Sequence, residues 1–282
     1  GHETTYAQMV HGWLGVPMDR IRMVQGDTDI IFTGRGSFGS RSMTVGGSAL
    51  RQACDQIIAK GRRMAALLMG VPETEVAFAD GAFQGGGKCL TLDQVARTSF
   101  AWGVPKPLPA DMRNGLEGVG YFTAEPQNYP NGCYVAEVEI DPATGDVTVD
   151  RLSGIDDVGV VVNPLLLEGQ VIGGAVQALG QALKEAVVHD ASGQVLSGSF
   201  TDYAMPRAAD VPRMRLDTRA VPTATNPLGV KGGAETGTIG LPPAIIGAVV
   251  DALRPYGIRD IAMPATPARI WAAIQTARKT AK

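Results

Sequence analysis

Three glycine-rich segments hold most of the residues that could do chemistry in this 282-residue sequence. The first reads GRGSFGSRS from Gly34 and stands just before a long amphipathic helical pattern. It offers three hydroxyl groups and two guanidinium groups, which belong to Ser37, Ser40, Ser42, Arg35 and Arg41. Backbone N–H groups and cationic side chains at a helix start are suited to binding an anion. Because a glycine–serine run can equally be a flexible turn, composition alone leaves both interpretations open.

The second segment reads DDVGVVVNPLLLEGQ and contributes Asp157, Asn163 and Gln170 as polar side chains. Each of the three also has an ordinary structural interpretation. Asp157 could be a turn carboxylate, and Asn163 could cap a helix that begins with the following proline. Gln170 could face solvent on that helix. These residue types are therefore compatible with ligand binding without requiring it.

The third segment reads GVKGGAETGTIGLPP, and Glu235 is the only carboxylate between Asn226 and Asp251. Glycines and apolar residues around a carboxylate can keep solvent away from it, which raises its pKa. It then becomes a stronger base and is suited to general base catalysis. The alternative is a surface glutamate beside Lys231, which lies four residues earlier.

Composition argues against several classes of function. The three cysteines and three histidines lack the spacings of zinc or iron–sulfur sites. A net charge of −3 gives no electrostatic reason to bind nucleic acid. With 45% hydrophobic and 19% charged residues, the chain should be globular, and no stretch approaches the roughly 20 uninterrupted apolar residues of a membrane span. The sequence predicts a cytoplasmic protein without a membrane span.

Short helices and hairpins must position these segments. Helical spacing predicts a first helix that stops at Gly15, then a short strand over 21–25 and a long amphipathic helix after the serine-rich loop. Hairpins are predicted over 76–91 and 133–152, and helices after Asn163, Leu241 and Thr266. We expect an α+β fold in which mixed and antiparallel sheets are covered by helices, with two subdomains over 1–118 and 119–282.

The order of the segments resembles the molybdopterin-binding subunit of the xanthine oxidase family of molybdenum hydroxylases, especially its carbon-monoxide-dehydrogenase-like and aldehyde-oxidase-like members. The resemblance covers the whole chain and implies the C-terminal half of that subunit, with its molybdenum-cofactor-binding fold. The blocks that carry it, in the family's order, are GHETTYAQ, GDTD, GSFGSRS, AEVEIDPATG, NPLLLEGQVIGGAVQALGQAL, DYAMPRA, NPLGVKGGAETGTIGLPPA and MPATPARIW.

The resemblance implies a role for each segment. The first would wrap the pterin and its phosphate, Gln170 would contact the cofactor, and the second segment would lie near the nucleotide end. The full set of implied cofactor-binding residues is Gly1, His2, Gly39, Ser40, Arg41, Ser42, Asp157, Asn163 and Gln170. Glu235 would be the catalytic glutamate. The family usually has glycine before this glutamate, whereas this chain has Ala234, which could narrow the approach to the metal.

The implied cofactor is molybdopterin with molybdenum, in the cytosine dinucleotide form. The pterin would hold the metal, so no direct protein ligand is expected. The implied partners are the N-terminal half of the molybdenum subunit, an iron–sulfur subunit with [2Fe–2S] centres and an FAD subunit. Together they would oxidise an aldehyde or N-heteroaromatic carbon with water as the oxygen source. The alternative is a truncated or degenerate cofactor-binding scaffold without activity alone. Carbon monoxide oxidation with copper would need a cysteine loop that is absent from this chain.

Overall fold

The computed structural model describes residues 1–34, 36–100, 108–113, 115–125 and 127–280. The chain divides into two compact units, which are described separately below. Unit 1 comprises Gly1–Gln127 and Ala224–Gly229, and unit 2 comprises Asn128–Thr223 and Val230–Lys282. Each unit combines helices with a three-stranded sheet. The predicted α+β class is therefore confirmed.

Unit 1 contains three α-helices, a π-helical turn and an antiparallel sheet. The helices are α1 (His2–Leu14), α2 (Ser48–Met69) and α3 (Leu92–Thr98), and the π-helical turn (Met43–Gly47) leads into α2. The strands are β1 (Ala77–Ala79), β2 (Ala82–Gly85) and β3 (Lys88–Thr91), hydrogen-bonded in the order β1-β2-β3. The hairpin over 76–91 is confirmed. Residues 21–25 were predicted as a strand and form none.

The core of unit 1 forms where the apolar face of α2 meets β2. Phe83 is completely buried, and a Cβ at Gly61 of α2 would overlap its ring. Glycine at that position therefore lets the strand approach the helix closely. The other buried core residues include Met64, Ala65, Met69, Val76 and Val95.

Residues 118–121, which contain the predicted domain boundary, are attached to α2. Gln56 donates to the Val119 carbonyl at 2.8 Å and accepts from the Val119 amide at 3.1 Å. Gln52 accepts from the amide of Tyr121 at 3.1 Å. Two glutamines one helical turn apart thus satisfy the backbone of an extended segment, which joins unit 1 through them.

Unit 2 contains a mixed sheet and three long helices. An antiparallel hairpin of β4 (Asn131–Ile140) and β5 (Val147–Asp157), with β6 (Arg213–Thr218) parallel to β5, forms the sheet. The hairpin confirms the sequence prediction for 133–152. The helices are α4 (Pro164–Leu183), α5 (Thr236–Leu253) and α6 (Pro267–Thr280).

Helix α5 is the central helix of unit 2. Leu241, Ile245, Val249 and Leu253 recur every four residues and are completely buried in the core with α4 and the sheet. Contrary to the sequence expectation, Thr236–Tyr256 is long and apolar enough to cross a membrane by length and composition, with 39% of its most apolar window buried. Its buried stripe is that of a core helix, and a core helix can be as long and as apolar as a membrane span.

Candidate functional site

The 36–42 loop of unit 1 has a backbone shaped by left-handed residues. Gly39 has φ +63° and Ser40 has φ +48°, and a non-glycine residue adopts the left-handed region only at some cost. The hydroxyl groups of Ser37 and Ser42 are hydrogen-bonded to each other, and the guanidinium of Arg41 lies 4.4 Å from the centroid of the Phe38 ring. Arg35 lies outside the described residues. The loop is thus a turn in which two hydroxyl groups are hydrogen-bonded to each other and the Arg41 guanidinium lies over an aromatic ring.

Tyr6 of α1 fixes the end of this loop. Its phenol donates to the Ser42 carbonyl at 2.7 Å, and its burial raises the pKa of the phenol, which keeps it a donor. A Cβ at Gly46 would overlap the Tyr6 hydroxyl, so the π-helical turn reaches this position only with glycine. Tyr6 lies at helical spacing from Met9 and Trp13, which indicates only an ordinary helix face, so the sequence carries no signal for this contact.

The start of α1 meets the same tyrosine. The His2 ring stacks on the Tyr6 ring with centroids 5.6 Å apart and planes 18° apart. The carbonyl of Gly1 accepts from the amide and the hydroxyl of Thr5 at 3.0 and 2.9 Å. The structure therefore brings His2 and Ser42 together through the Tyr6 side chain, whereas Gly1 is held by Thr5.

Asn163 and Gln170 lie on α4 of unit 2. The Asn163 side chain accepts from the Leu166 amide at 3.0 Å and caps the helix ahead of Pro164, so its structural role is confirmed. Gln170 is exposed. It lies between Gly169 and Gly173, where an added Cβ would meet nothing within 4 Å. These two exposed glycines weaken the helix by up to about 1 kcal/mol each relative to alanine, although among the described residues no atom lies within 4 Å of where their Cβ atoms would stand.

Asp157, at the end of β5, joins three parts of unit 2. Its carboxylate accepts from the amides of Gly159 and Val221 at 2.9 and 3.0 Å and forms an ion pair with Lys231. Burial favours the neutral acid, but the hydrogen bonds from Lys231 and the two amides outweigh it and lower the pKa of Asp157 to about 2. The side chains of Asp157 and Lys231 are only 16% and 10% exposed. Lys231 thus pairs with Asp157, although its place in the sequence suggests only a pairing with Glu235, four residues later.

Glu235 is the N-cap residue of α5. Its backbone carbonyl accepts the first helical hydrogen bond, from the Ile239 amide at 3.0 Å, and its side chain forms no capping hydrogen bond. The side chain is partly buried, and the preceding Ala234 is exposed. A partly exposed carboxylate at this helix start could exchange a proton with a bound ligand.

The hydrogen-bond donors of the 36–42 loop suit an anionic ligand. Arg41 and the serine hydroxyls can bind phosphate, and the Cα of Gly39 has open space where a Cβ would stand. Gly169 and Gly173 leave similar space beside Gln170. Within the described residues, no group of three or more His, Cys, Asp or Glu side chains could hold a metal ion.

Comparison with known proteins identifies the family. Residues 1–212 match the molybdopterin cofactor-binding domain. The carbon monoxide dehydrogenase large chain of Hydrogenophaga pseudoflava is 35% identical over 275 residues, which are 98% of this chain and 34% of that protein. The nicotine 6-hydroxylase large subunit of Paenarthrobacter nicotinovorans is 33% identical over 272 residues, which are 96% of this chain and 33% of that protein.

A solved structure agrees with these relatives. The crystal structure of a Cu,Mo-CO dehydrogenase matches with a TM-score of 0.88 and 34% identity, covering 98% of this chain and 35% of that one. This chain spans about a third of the length of these relatives. The match to the domain over residues 1–212 and the relatives that extend it to nearly the whole chain show that this chain belongs to the molybdopterin cofactor-binding domain family of xanthine-oxidase-type molybdenum hydroxylases.

Proposed function

We propose that this chain binds the molybdenum cofactor and supplies the general base of a molybdenum hydroxylase. The observation that carries the proposal is the family match over residues 1–212. The geometry supports it, because the residues implied by the resemblance form a loop with anion donors in unit 1 and an open helix face in unit 2. When bound, the cofactor supplies the metal and accepts the two electrons of the oxidation.

In unit 1, the 36–42 loop would hold the pterin and its phosphate. The Arg41 guanidinium can form charge-assisted hydrogen bonds with phosphate oxygens, and the Ser40 hydroxyl adds a neutral donor. The left-handed turn at Gly39 and Ser40 leaves room for a ligand against the backbone. His2 and Ser42 would contribute from positions that Tyr6 fixes.

In unit 2, Gln170 would bind the cofactor through its amide, which can both donate and accept a hydrogen bond. Gly169 and Gly173 would let the cofactor lie against the α4 backbone. Asp157 and Asn163 would shape the segment that faces the nucleotide end, since their side chains already hold backbone amides of this chain. We propose the cytosine dinucleotide form of the cofactor on the resemblance.

Glu235 would act as the general base. A partly buried carboxylate can accept a proton from the water-derived oxygen that attacks the substrate carbon, provided that it lies within about 3 Å of that oxygen. Because Glu235 is the N-cap residue of a core helix, its backbone can move little. The carboxylate would therefore approach the reacting oxygen from a fixed direction. The exposed methyl group of Ala234 stands beside it, where the family usually has glycine.

We further propose that the substrate is an aldehyde or an N-heteroaromatic compound. One similar protein is named for carbon monoxide and another for nicotine, at 35% and 33% identity, so sequence similarity favours neither clearly. Carbon monoxide oxidation with copper would need a cysteine loop from another polypeptide. The proposed partners, in the cytoplasm, are the N-terminal half of the molybdenum subunit, a [2Fe–2S] subunit and an FAD subunit.

The experiment that tests this function uses the complete complex purified with its partner chains. Glu235→Gln should leave molybdenum content unchanged and lower substrate-dependent dye reduction at least about 100-fold, the scale of a lost general base. Replacing Ser40 and Arg41 together by alanine should instead deplete molybdenum and pterin nucleotide. Normal turnover in Glu235→Gln would reject the catalytic role. A folded complex without molybdenum and without dye reduction would favour the scaffold alternative.

A further inference from the structure

A buried carboxylate that the proposed function does not use lies directly beside the Glu235 helix. Asp156 is 1% exposed at the end of β5. The Tyr134 hydroxyl of β4 lies 2.7 and 2.6 Å from its two oxygens. Burial raises the pKa of both groups, and hydrogen bonds from Tyr134 and Thr236 partly offset this effect at Asp156. A buried carboxylate is costly unless it is fully hydrogen-bonded, so this pair is expected to serve more than packing.

The pair is connected to the first turn of α5. Thr236 is 7% exposed and directly follows Glu235. Its hydroxyl donates to the Gly233 carbonyl at 3.3 Å, and as a hydrogen-bonding neighbour it partly offsets the rise in the pKa of Asp156 and Tyr134. The Tyr134 ring also lies against Gly240, one turn further along α5, where a Cβ would overlap the ring. The aromatic ring and the carboxylate therefore fix the depth and rotation of the helix start.

The other end of the same segment is held by the neighbouring carboxylate. Asp157 pairs with Lys231, and the Lys231 amide donates to the Val158 carbonyl at 2.7 Å. Residues 230–236, which we call the Glu235 segment, are thus attached at both ends to the end of β5. Because Asp156 and Asp157 are adjacent and point to opposite faces of the strand, one strand end can hold the segment at two separate points.

We propose that Tyr134, Asp156 and Thr236 are positioning residues that set the location of the Glu235 carboxylate. This inference rests on the proposed function, in which Glu235 is the general base. Removing the network leaves the base present but misplaced, and a misplacement of about 1 Å can cost up to about 100-fold in rate. The loss falls on the chemical step, because none of the three residues belongs to the proposed cofactor-binding set.

The test compares conservative variants in the complete, molybdenum-loaded complex. Tyr134→Phe removes one hydroxyl and keeps the ring. Thr236→Val removes the threonine hydroxyl and nearly preserves the shape of the side chain. Thr236→Ser keeps the hydroxyl. The matched control is Tyr203→Phe, which removes another tyrosine–carboxylate hydrogen bond of unit 2, from Tyr203 to Glu185 at 2.7 Å. Glu185 lies just after the C-terminal end of α4, whereas Asn163 caps the N-terminal end of that helix.

We expect Tyr134→Phe and Thr236→Val to lower kcat roughly 10- to 100-fold with KM within about twofold and molybdenum content unchanged. Thr236→Ser should recover most of the rate, and Tyr203→Phe should match the wild type. Hydrogen exchange of a peptide covering the Glu235 segment should accelerate in the first two variants only, which gives a readout independent of activity.

Wild-type kcat in both Tyr134→Phe and Thr236→Val would overturn the positioning role, as would a loss of rate that simply follows a loss of molybdenum. Should Tyr134→Phe fail to assemble, the contrast between Thr236→Val and Thr236→Ser decides the question. Glu235→Gln is measured in parallel. If it keeps full turnover, the proposed function fails; if it loses turnover while the network variants do not, only this inference fails.

Discussion

Replacing Asp157 by asparagine should destabilise unit 2 by several kcal/mol. The substitution keeps the size of the side chain but removes the charge that pairs with Lys231. It also weakens the acceptor used by the amides of Gly159 and Val221. Since these bonds join β5 to two later segments of the chain, their loss should loosen the unit locally before it unfolds.

The magnitude follows from the pKa of Asp157, which is about 2 in the folded chain and about 3.9 in an unfolded one. At 1.36 kcal/mol for each pKa unit, the charged form stabilises the fold by about 2.5 kcal/mol. Asparagine also leaves Lys231, 10% exposed, without its counter-charge, so the total cost at pH 7 should reach about 3–4 kcal/mol. Because the folded pKa is lowered, this stabilisation is present above about pH 5 and is lost as the pH falls toward 2.

Hydrogen exchange of the Val221 amide in the assembled complex measures this effect. At pH 7 exchange should be at least roughly 70-fold faster in Asp157→Asn, the factor that corresponds to about 2.5 kcal/mol, and at pH 3 the difference should narrow. The matched control is Asp55→Asn, because the Arg51–Asp55 pair is exposed and should contribute at most about 1 kcal/mol. A change below about fivefold at pH 7, or one equal at both pH values, would refute the reasoning.

Two glycine substitutions test the packing. Gly61→Ala should destabilise unit 1 by about 1–3 kcal/mol because its methyl group would overlap Phe83. Thermal unfolding measures this effect, with Gly12→Ala as the control because Gly12 has open space where a Cβ would stand. Equal unfolding temperatures in the two variants would contradict the prediction. Gly173→Ala should stabilise α4 by up to about 1 kcal/mol yet reduce molybdenum content, whereas Gly247→Ala on α5, also in open space, should leave the metal content unchanged. Full molybdenum loading in Gly173→Ala would place the cofactor elsewhere.

The local elements of this fold could be read from the sequence because short-range chemistry specifies them. Gly15 ends α1 with φ +68°, and Asn163 with Pro164 begins α4, as predicted. A cap or a left-handed glycine acts on backbone groups within a few residues, so its effect does not wait for tertiary structure. The candidate residues were found in the same way, from glycine-rich segments and from the family resemblance that their order carries.

Only the tertiary structure decided which of these residues meet. Residues 21–25 have a strand-like composition but form no strand. A strand needs an adjacent segment to complete its backbone hydrogen bonds, and composition does not supply one. Lys231 lies four residues from Glu235 in sequence and yet pairs with Asp157, 74 residues away. The sequence likewise offered no reason to connect Tyr134, Asp156 and Thr236. Burial and distance between remote segments set these partnerships, and neither quantity exists until the chain has folded.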